Sequence, residues 1–245
     1  MSPPSGDAFP PTRVSLLEAL EAGGEVRERA WQSLAAIYWR PVYAHLRLRW
    51  GFDPPDAEDL TQEFFARAWA GGVFESYDPT RARFRTFLRT CVDHLALNER
   101  QAAMRLKRGA GRVVAMDVDA MERALNGQKR PDGEQDADRL FRGELVRALF
   151  ETAVDRVRTE ADDAGRRPAF EVFVAYDIDG ADRVPRPTYA ELAERFDVPI
   201  TQVTNWLHAM RRRFRHHVLG TLRELSATEA EFRAEARDIL GVDPE

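Results

Sequence analysis

The spacing of apolar residues is the feature that most constrains the fold, because it follows the period of an α-helix along most of the chain. Its clearest stretch is a single stripe of apolar positions: Phe84, Phe87, Leu88, Cys91, Val92 and Leu95. Such a stripe lies on one face of a helix and has to be buried against a neighbour. Similar spacing recurs over 27–50 and 140–157. We therefore predict an all-α fold.

Two polar stretches rich in helix breakers divide the chain. The N-terminal "MSPPSGDAFPPTR" is rich in Pro and Ser, and "NGQKRPDGEQDAD" at 126–138 separates two blocks of helical spacing. A chain of 245 residues with 44% hydrophobic content can form two small domains. The predicted divisions are a disordered or weakly ordered arm at 1–24, a helical domain at 25–108, a polar acidic linker at 109–139, a helix-turn-helix domain at 140–222 and a C-terminal helical extension at 223–245.

Two of these divisions carry further expectations. The linker acids lie among breakers and predict an extended, mobile segment: Asp132, Glu134, Asp136 and Asp138. The C-terminal extension has the apolar spacing of an amphipathic helix, with Phe232, Ala236, Ile239 and Leu240 on one face. We expect this helix either to pack back on the domain that precedes it or to bind a regulator.

Composition narrows the class of protein. Cys91 is the only cysteine, so no intramolecular disulfide can form, which fits the reducing cytoplasm. No apolar run approaches the length that spans a bilayer, so we predict no membrane insertion. None of the five histidines has a cysteine or carboxylate at a convincing metal-ligand spacing. With no phosphate-binding or dinucleotide motif either, we predict no enzyme, no catalytic residues, no metal and no cofactor.

The strongest local motif is "PTYAELAERFDVPITQVTNWLHAMRRRFRHH" at 187–217. Thr188 and Glu191 have the spacing of a capping box that starts a short helix. The turn "DVP" then leads to a second helix, which predicts a helix-turn-helix. The exposed start of a second helix of this kind reads base edges in the major groove. The residues that would do so here are Thr201, Gln202, Thr204 and Asn205.

Arginines follow these residues without an intervening acid. Arg211, Arg212 and Arg215 share one face of the second helix and are predicted to contact phosphates. The alternative is an ordinary helical hairpin with a solvated arginine face. We favour DNA binding because the candidate base-reading residues and the arginine cluster occur together.

A second candidate nucleic-acid site mixes aromatic residues with arginines just before the apolar stripe. Its members are Phe74, Tyr77, Arg81, Arg83 and Arg85. Bases of single-stranded nucleic acid stack on aromatic rings while guanidinium groups hold the phosphates. The alternative is that the aromatic residues belong to the core and the arginines are merely solvated, which we expect for Phe84. For Tyr77 and Arg81 both interpretations stay open.

The stretch "DAEDLTQEFFARAW" at 56–69 predicts a helix with two distinct faces. Asp53 is a candidate N-cap, and Pro54 suits the first helical position. Four residues should face the core: Ala57, Leu60, Phe64 and Ala68. Another face is then left for a partner, and it carries Asp59, Gln62, Glu63 and Ala66. The alternative for this acidic face is simple solvation.

Taken together, "DAEDLTQEFFARAW", "YDPTRARFRTFL", "HLALNER" and "NWLHAMRRRFR" resemble a bacterial RNA polymerase sigma factor of the sigma-70 family, extracytoplasmic-function type. The resemblance covers roughly 25–219. It identifies 25–108 with region two and 140–222 with region four. It implies a subunit that directs polymerase core to specific promoters and assists strand opening. In place of the family's usual serine cap, this chain has Pro199, and Thr204 and Trp206 replace expected basic residues.

The resemblance also implies partners. The helix at 56–69 would dock on the clamp helices of the largest polymerase subunit, and the loop at 74–83 would capture a flipped base of the melted promoter strand. The helix-turn-helix would read the upstream promoter element, and an anti-sigma factor or another regulator is a further partner that the family allows. Two other functions stay open. One is a helix-turn-helix regulator that does not dock on polymerase, and the other is a sigma-like protein–protein adaptor.

Overall fold

A computed structural model describes most of the chain as helix. The residues that it describes are 19–20, 24–71, 73–103, 118–125, 128, 130–181 and 183–244. Their α-helices are α1 Gly24–Ala44, α2 Pro54–Ala70, α3 Phe84–Ala103, α4 Val118–Leu125, α5 Glu134–Asp163, α6 Arg167–Phe173, α7 Tyr189–Arg195, α8 Ile200–Glu224 and α9 Glu229–Glu235. These residues include no strand, which confirms the all-α prediction.

Short helical turns of other kinds extend this set. Wider, π-helical turns continue α1 at His45–Arg49, α6 at Val174–Ile178 and α9 at Ala236–Leu240. A single 3-10 turn at Phe74–Ser76 precedes α3. Most of the predicted arm lies outside the described residues. Of the predicted linker at 109–139, residues 118–125, 128 and 130–139 are described, and α4 lies among them. Within the part of the chain that is described, no helix is both long and apolar enough to cross a membrane.

The first hydrophobic core forms around α1. Trp39 of α1 is buried and stacks on Phe65 of α2, with ring centroids 5.5 Å apart. Leu88 of α3 and Phe141 of α5 are also buried in this core. Each large apolar side chain that leaves water in this way stabilises the fold by roughly 1.5–3 kcal/mol. The stripe predicted at 84–95 faces this core, since Phe84, Leu88, Val92 and Leu95 are buried.

An ion pair fixes α1 against α5. Arg40 Nε donates to Glu144 Oε2 at 2.5 Å, and Arg40 Nη1 donates to Glu151 Oε1 at 2.8 Å. The Glu144 side chain is only 3% exposed, so this ion pair is largely removed from water. Removing one member of such a buried pair typically costs about 3–5 kcal/mol. The pair therefore helps to set how the two helices meet.

The second core packs α6 and α7 against one end of α5 and the start of α8. Buried Val157 of α5, Phe173 of α6 and Leu192 of α7 meet Val203 and Leu207 of α8. Phe214 is half-buried and packs against this core. The stretch "FEVFVAY" at 170–176 forms the end of α6 and the start of its π-helical continuation.

Two long helices pass through both cores. The first part of α5 places Phe141 and Leu149 in the first core, and its last part places Val157 in the second. Helix α8 does the reverse, with Leu207 in the second core and Leu222 in the first. The division into two domains stays a prediction, and the two cores share these helices across its boundaries.

The expectation of an extended acidic linker is wrong for its last residues, because α5 begins at Glu134. Glu134 and Asp136 lie in the first turn of α5, where negative charge is stabilised by the helix dipole. Asp138 pairs with Arg142 one turn later at 2.9 Å, and Glu134 Oε2 accepts from Arg89 at 2.7 Å. These pairings stabilise the first turns of α5, although helix-breaking residues directly precede them.

The C-terminal extension packs back on the protein, but on the first core. Phe232 and Ala236 are buried there, and Ile239 and Leu240 pack against its edge. We call residues 228–240 the C-terminal segment. Thr228 begins α9 as its N-cap, since its side chain accepts from the Glu231 N–H at 3.1 Å. The end of the segment lies beside α3 and α5, because Asp238 pairs with Arg85 of α3 and with Arg142 of α5.

Candidate nucleic-acid and polymerase interfaces

Helix α2 begins as the sequence indicates. Asp53 Oδ1 accepts the Asp56 N–H at 2.9 Å, and Pro54 occupies the first helical position. The four residues that were predicted to face the core are buried: Ala57, Leu60, Phe64 and Ala68. Thr61 and Phe65 are buried beside them, because α2 packs against both α1 and α3.

The face of α2 that was predicted for a partner is only partly open. Asp59 and Ala66 are exposed, and Glu63 is half-buried and paired with Arg67 one turn along. Gln62 is buried, so its prediction as an exposed contact is wrong. The reason is that the buried face of α2 is wider than one residue per turn and includes both Thr61 and Gln62. The Gln62 amide instead donates to Glu58 Oε1 at 3.3 Å.

The aromatic residues before α3 form a packed wall. Phe74 lies between Trp31, with centroids 6.2 Å apart, and Phe84, at 5.5 Å. The ring of Tyr77 meets Phe84 at 5.3 Å and Phe87 at 5.2 Å. Both predicted stacking residues are half-buried, so only part of each side chain is accessible to a base.

The predicted arginines of this site differ sharply from one another. The Arg81 side chain is 85% exposed and pairs with Asp78 three residues back. Arg83 is half-buried, and Arg85 is buried with only 6% exposure. We call Tyr77, Arg83 and Arg85 the aromatic–arginine surface, because they face the same neighbour.

That neighbour is the acidic side of the C-terminal segment. Tyr77 Oη donates to Glu231 Oε1 at 3.0 Å. Arg83 Nη1 lies 3.2 Å from Glu235 Oε1 and donates to Asp238 Oδ2 at 2.6 Å. Arg85 Nη2 donates to the same Asp238 oxygen at 2.5 Å. The chain thus supplies three carboxylates to the surface that sequence reasoning assigned to nucleic acid.

These contacts change how the groups titrate. Burial, with the nearby Glu231 carboxylate as the next cause, raises the pKa of the Tyr77 hydroxyl. Burial also raises the pKa of Glu235, and Arg85 and Arg83 only partly offset this effect. For Asp238 burial acts in the same direction but is outweighed by the hydrogen bond and charge of Arg85, so its pKa is lowered. Sequence analysis missed this acidic side, although its 231, 235, 238 spacing on one helical face was visible.

The helix-turn-helix geometry follows the sequence motif closely. Glu191 N–H donates to Thr188 Oγ1 at 3.2 Å, and Thr188 N–H donates to Glu191 Oε2 at 2.7 Å, so the capping box is confirmed. The turn at 196–199 passes through Asp197, whose φ of 51° lies in the left-handed region that asparagine and aspartate tolerate. Pro199 precedes α8 without a side-chain cap.

The start of α8 points largely into solvent. Thr201, Thr204 and Asn205 are exposed, and Gln202 is half-buried. The Thr204 hydroxyl donates back to the Ile200 carbonyl at 3.1 Å. These four residues were predicted together, and the first turns of α8 bring them together on one end of the second core.

The arginines farther along α8 divide into paired and unpaired side chains. Arg211 Nε and Nη2 donate to the Asp177 carboxylate at 2.7 and 3.0 Å. Arg212 and Arg215 are exposed and have no ion-pair partner in the described part of the chain. We call Thr201, Thr204, Asn205, Arg212 and Arg215 the duplex face. The prediction for Arg211 did not take account of Asp177, which lies in the π-helical continuation of α6.

Comparison with known families now adds to this geometry. Residues 25–106 match the family model of Sigma-70 region 2. No curated protein and no solved structure matches the chain. The matched range, a third of the chain, contains α1, α2 and α3 with both Asp59 and the aromatic–arginine surface. The match supports a sigma factor of the sigma-70 family, and the described residues after 106 add a further helical unit.

Proposed function

We propose that this chain is a sigma factor of the extracytoplasmic-function type that brings RNA polymerase core to specific promoters and assists strand opening. The single observation that carries the proposal is the Sigma-70 region 2 match over residues 25–106. A region of this family acts in polymerase binding and promoter recognition. The proposed location is the cytoplasm, where the polymerase and its promoters are found.

The residue roles in this proposal follow the geometry. Asp59 and Glu63 on α2 would meet the clamp helices of the largest polymerase subunit, with Ala66 allowing close approach. The aromatic–arginine surface would hold the melted strand. The duplex face of α8 would read upstream promoter DNA, with Asn205 at base edges and Arg212 and Arg215 at phosphates. Partner regulators such as an anti-sigma factor belong to the same proposal.

One observation favours a second candidate, a sigma-like adaptor that binds proteins without opening promoters. The aromatic–arginine surface is occupied by carboxylates of the same chain, which an adaptor would never need to release. The third candidate, a regulator that acts without polymerase, has no such support, since it leaves the region 2 match unexplained.

Binding to purified polymerase core, followed by run-off transcription on genomic fragments, separates these functions. A sigma factor binds core and yields specific transcripts, and an adaptor binds core without them. A chain that does not bind core at all contradicts the proposal. Transcripts that appear only with the chain present would exclude the adaptor.

The docking role of α2 has its own test. We expect Asp59→Arg with Glu63→Arg to weaken core binding by about 100-fold or more, because like-charge contacts at an interface cost several kcal/mol. Stability should change by less than about 0.5 kcal/mol, since neither side chain is buried. Asp155→Arg with Glu171→Arg is the matched control, because it reverses two exposed charges on α5 and α6. Equal core affinity of the two double variants would remove α2 from the interface.

A further inference from the structure

The C-terminal segment is held on the first core by few apolar contacts. Phe232 and Ala236 are fully buried, and Arg223 lies over the Phe232 ring at 4.2 Å from its centroid. Ile239 and Leu240 are only half-buried. The contacts of this segment with the start of α3 include hydrogen bonds and ion pairs.

The polar contact is built from three carboxylates on one side of the segment. Glu231, Glu235 and Asp238 follow one another at the spacing of a helical face. Glu231 Oε1 accepts both the Tyr77 hydroxyl at 3.0 Å and the Phe84 N–H at 2.7 Å. This N–H begins α3, where an anion is stabilised by the free amide groups and by the helix dipole. The segment thus occupies the helix start as well as the arginines.

One carboxylate of the segment is contacted by three arginines at once. Asp238 accepts from Arg83 at 2.6 Å and Arg85 at 2.5 Å through one oxygen, and lies 3.2 Å from Arg142 Nη1 through the other. A phosphate group receives arginines in the same way, with several donors converging on one anion. Asp238 therefore receives the same kind of converging arginine contacts that a phosphate would receive.

The fit between the segment and the arginines is incomplete. Arg85 Nε lies 3.4 Å from Glu235 Oε2, within ion-pair range, yet Arg85 Nε and Nη1 are buried without a hydrogen-bond partner among the described residues. Glu235 Oε1 is likewise without one. Burial raises the pKa of Glu235, so its charged form is held at a cost. A ligand with more acceptor oxygens than a carboxylate would satisfy Arg85 better.

We propose that the C-terminal segment is a built-in competitor, whose Glu231, Glu235 and Asp238 occupy the aromatic–arginine surface until single-stranded nucleic acid displaces them. The proposal rests on the proposed function, because it regulates the same surface that would hold the melted strand. A competitor joined to its site by a short connection acts at an effective concentration on the order of millimolar. Strand binding by the intact chain is therefore weak until the segment leaves.

The test compares the affinity of full-length variants for a fluorescein-labelled oligodeoxythymidine of about 12 nucleotides, a length within the range that such surfaces cover. The test variant is Glu235→Gln with Asp238→Asn, which keeps Phe232 in place and removes two charges from the contact. The matched control is Glu229→Gln with Asp243→Asn. It removes the same charge from the same end of the chain, but its carboxylates face Arg223, Arg233 and Arg237.

We expect the test variant to bind the oligonucleotide at least about tenfold more tightly than the wild type, and the control to gain less than about threefold through general electrostatics. Equal gains in both variants, or no gain in the test variant, would overturn the proposal. Should the double variant fail to fold, Asp238→Asn alone carries the same comparison, since that side chain is 31% exposed and the asparagine amide oxygen can still accept from the buried Arg85.

Failure of this proposal is distinct from failure of the proposed function. A wild-type chain that binds polymerase core and yields transcripts, with no gain in strand affinity for the test variant, contradicts only the competition. A chain that does not bind core contradicts the sigma factor role, whatever its affinity for the oligonucleotide.

Discussion

The aromatic–arginine surface and the duplex face carry similar residues but differ in what faces them. In the first, Arg83 and Arg85 point at Glu235 and Asp238 of the same chain, and Arg85 is buried. In the second, Arg212 and Arg215 are exposed and form no ion pair among the described residues. An arginine-rich stretch therefore predicts attraction to phosphate, but only its surroundings determine whether a ligand can reach it.

Because of burial, the arginines of the two surfaces also differ in how much they contribute to the stability of the fold. An exposed arginine contributes little to folding, whereas a buried one has lost its water and depends on its partners. The duplex face is thus free to change its contacts without cost to the fold. Displacing the carboxylates from the aromatic–arginine surface costs free energy unless another anion replaces them, which couples the opening of this surface to ligand binding.

The largest expected effect is a loss of stability when the aromatic–arginine surface is altered. Arg85→Ala should lower the free energy of unfolding by about 3 kcal/mol, because it leaves the buried Glu235 carboxylate with only Arg83 beside it. Arg81→Ala, four residues earlier and exposed, should change it by less than about 0.5 kcal/mol. Urea denaturation of the two variants measures the difference. Equal free energies of unfolding for the two variants would show that the buried Arg85 contributes no more to stability than the exposed Arg81.

The next effect concerns base reading by the start of α8, at the duplex face. Asn205→Ala should cost roughly 1–3 kcal/mol at one base pair of the preferred duplex and relax the preference there. Gln202→Ala should have a smaller effect, because Gln202 is half-buried and less able to reach a base edge. Selection from random duplexes reports both, with Arg223→Ala near the far end of α8 as the control. An unchanged preference in the Asn205 variant would place base reading elsewhere.

The smallest effect separates neighbouring arginines of α8. Removing Arg212 or Arg215 should weaken all duplexes alike and reduce the salt slope of binding by about 1. Arg211→Ala should reduce the slope less, since its guanidinium is already paired with Asp177 at 2.7 Å. Titrations at several salt concentrations measure these slopes. Equal slopes for Arg211 and Arg212 variants would show that Asp177 releases its partner to DNA.

Local patterns predicted much of the fold. Helical periodicity, the Asp53 cap and the Thr188–Glu191 capping box all depend on residues within a few positions of one another, and each is present. The match over 25–106 agrees with the motifs that suggested region two. The specific roles of the predicted site residues stay predictions.

Long-range contacts were beyond the reach of the sequence. Gln62 is buried because α2 packs on two helices at once, and no spacing within α2 reveals a second neighbour. The C-terminal segment meets residues roughly 150 positions earlier, as in the Arg83–Asp238 pair, so its acids and those arginines looked independent. Their opposite charges were visible in sequence, but which surfaces come together is set by the packing of α5 and α8 between the cores.

The most direct test of this account is amide hydrogen exchange on the wild-type chain, with and without the single-stranded oligodeoxythymidine. If strand binding displaces the C-terminal segment, exchange at α9 and its π-helical continuation will rise while α7 and the start of α8 stay unchanged. A duplex of the same length should give the opposite pattern, with protection at the start of α8 alone. Oligonucleotide binding that leaves α9 as protected as before would contradict the account.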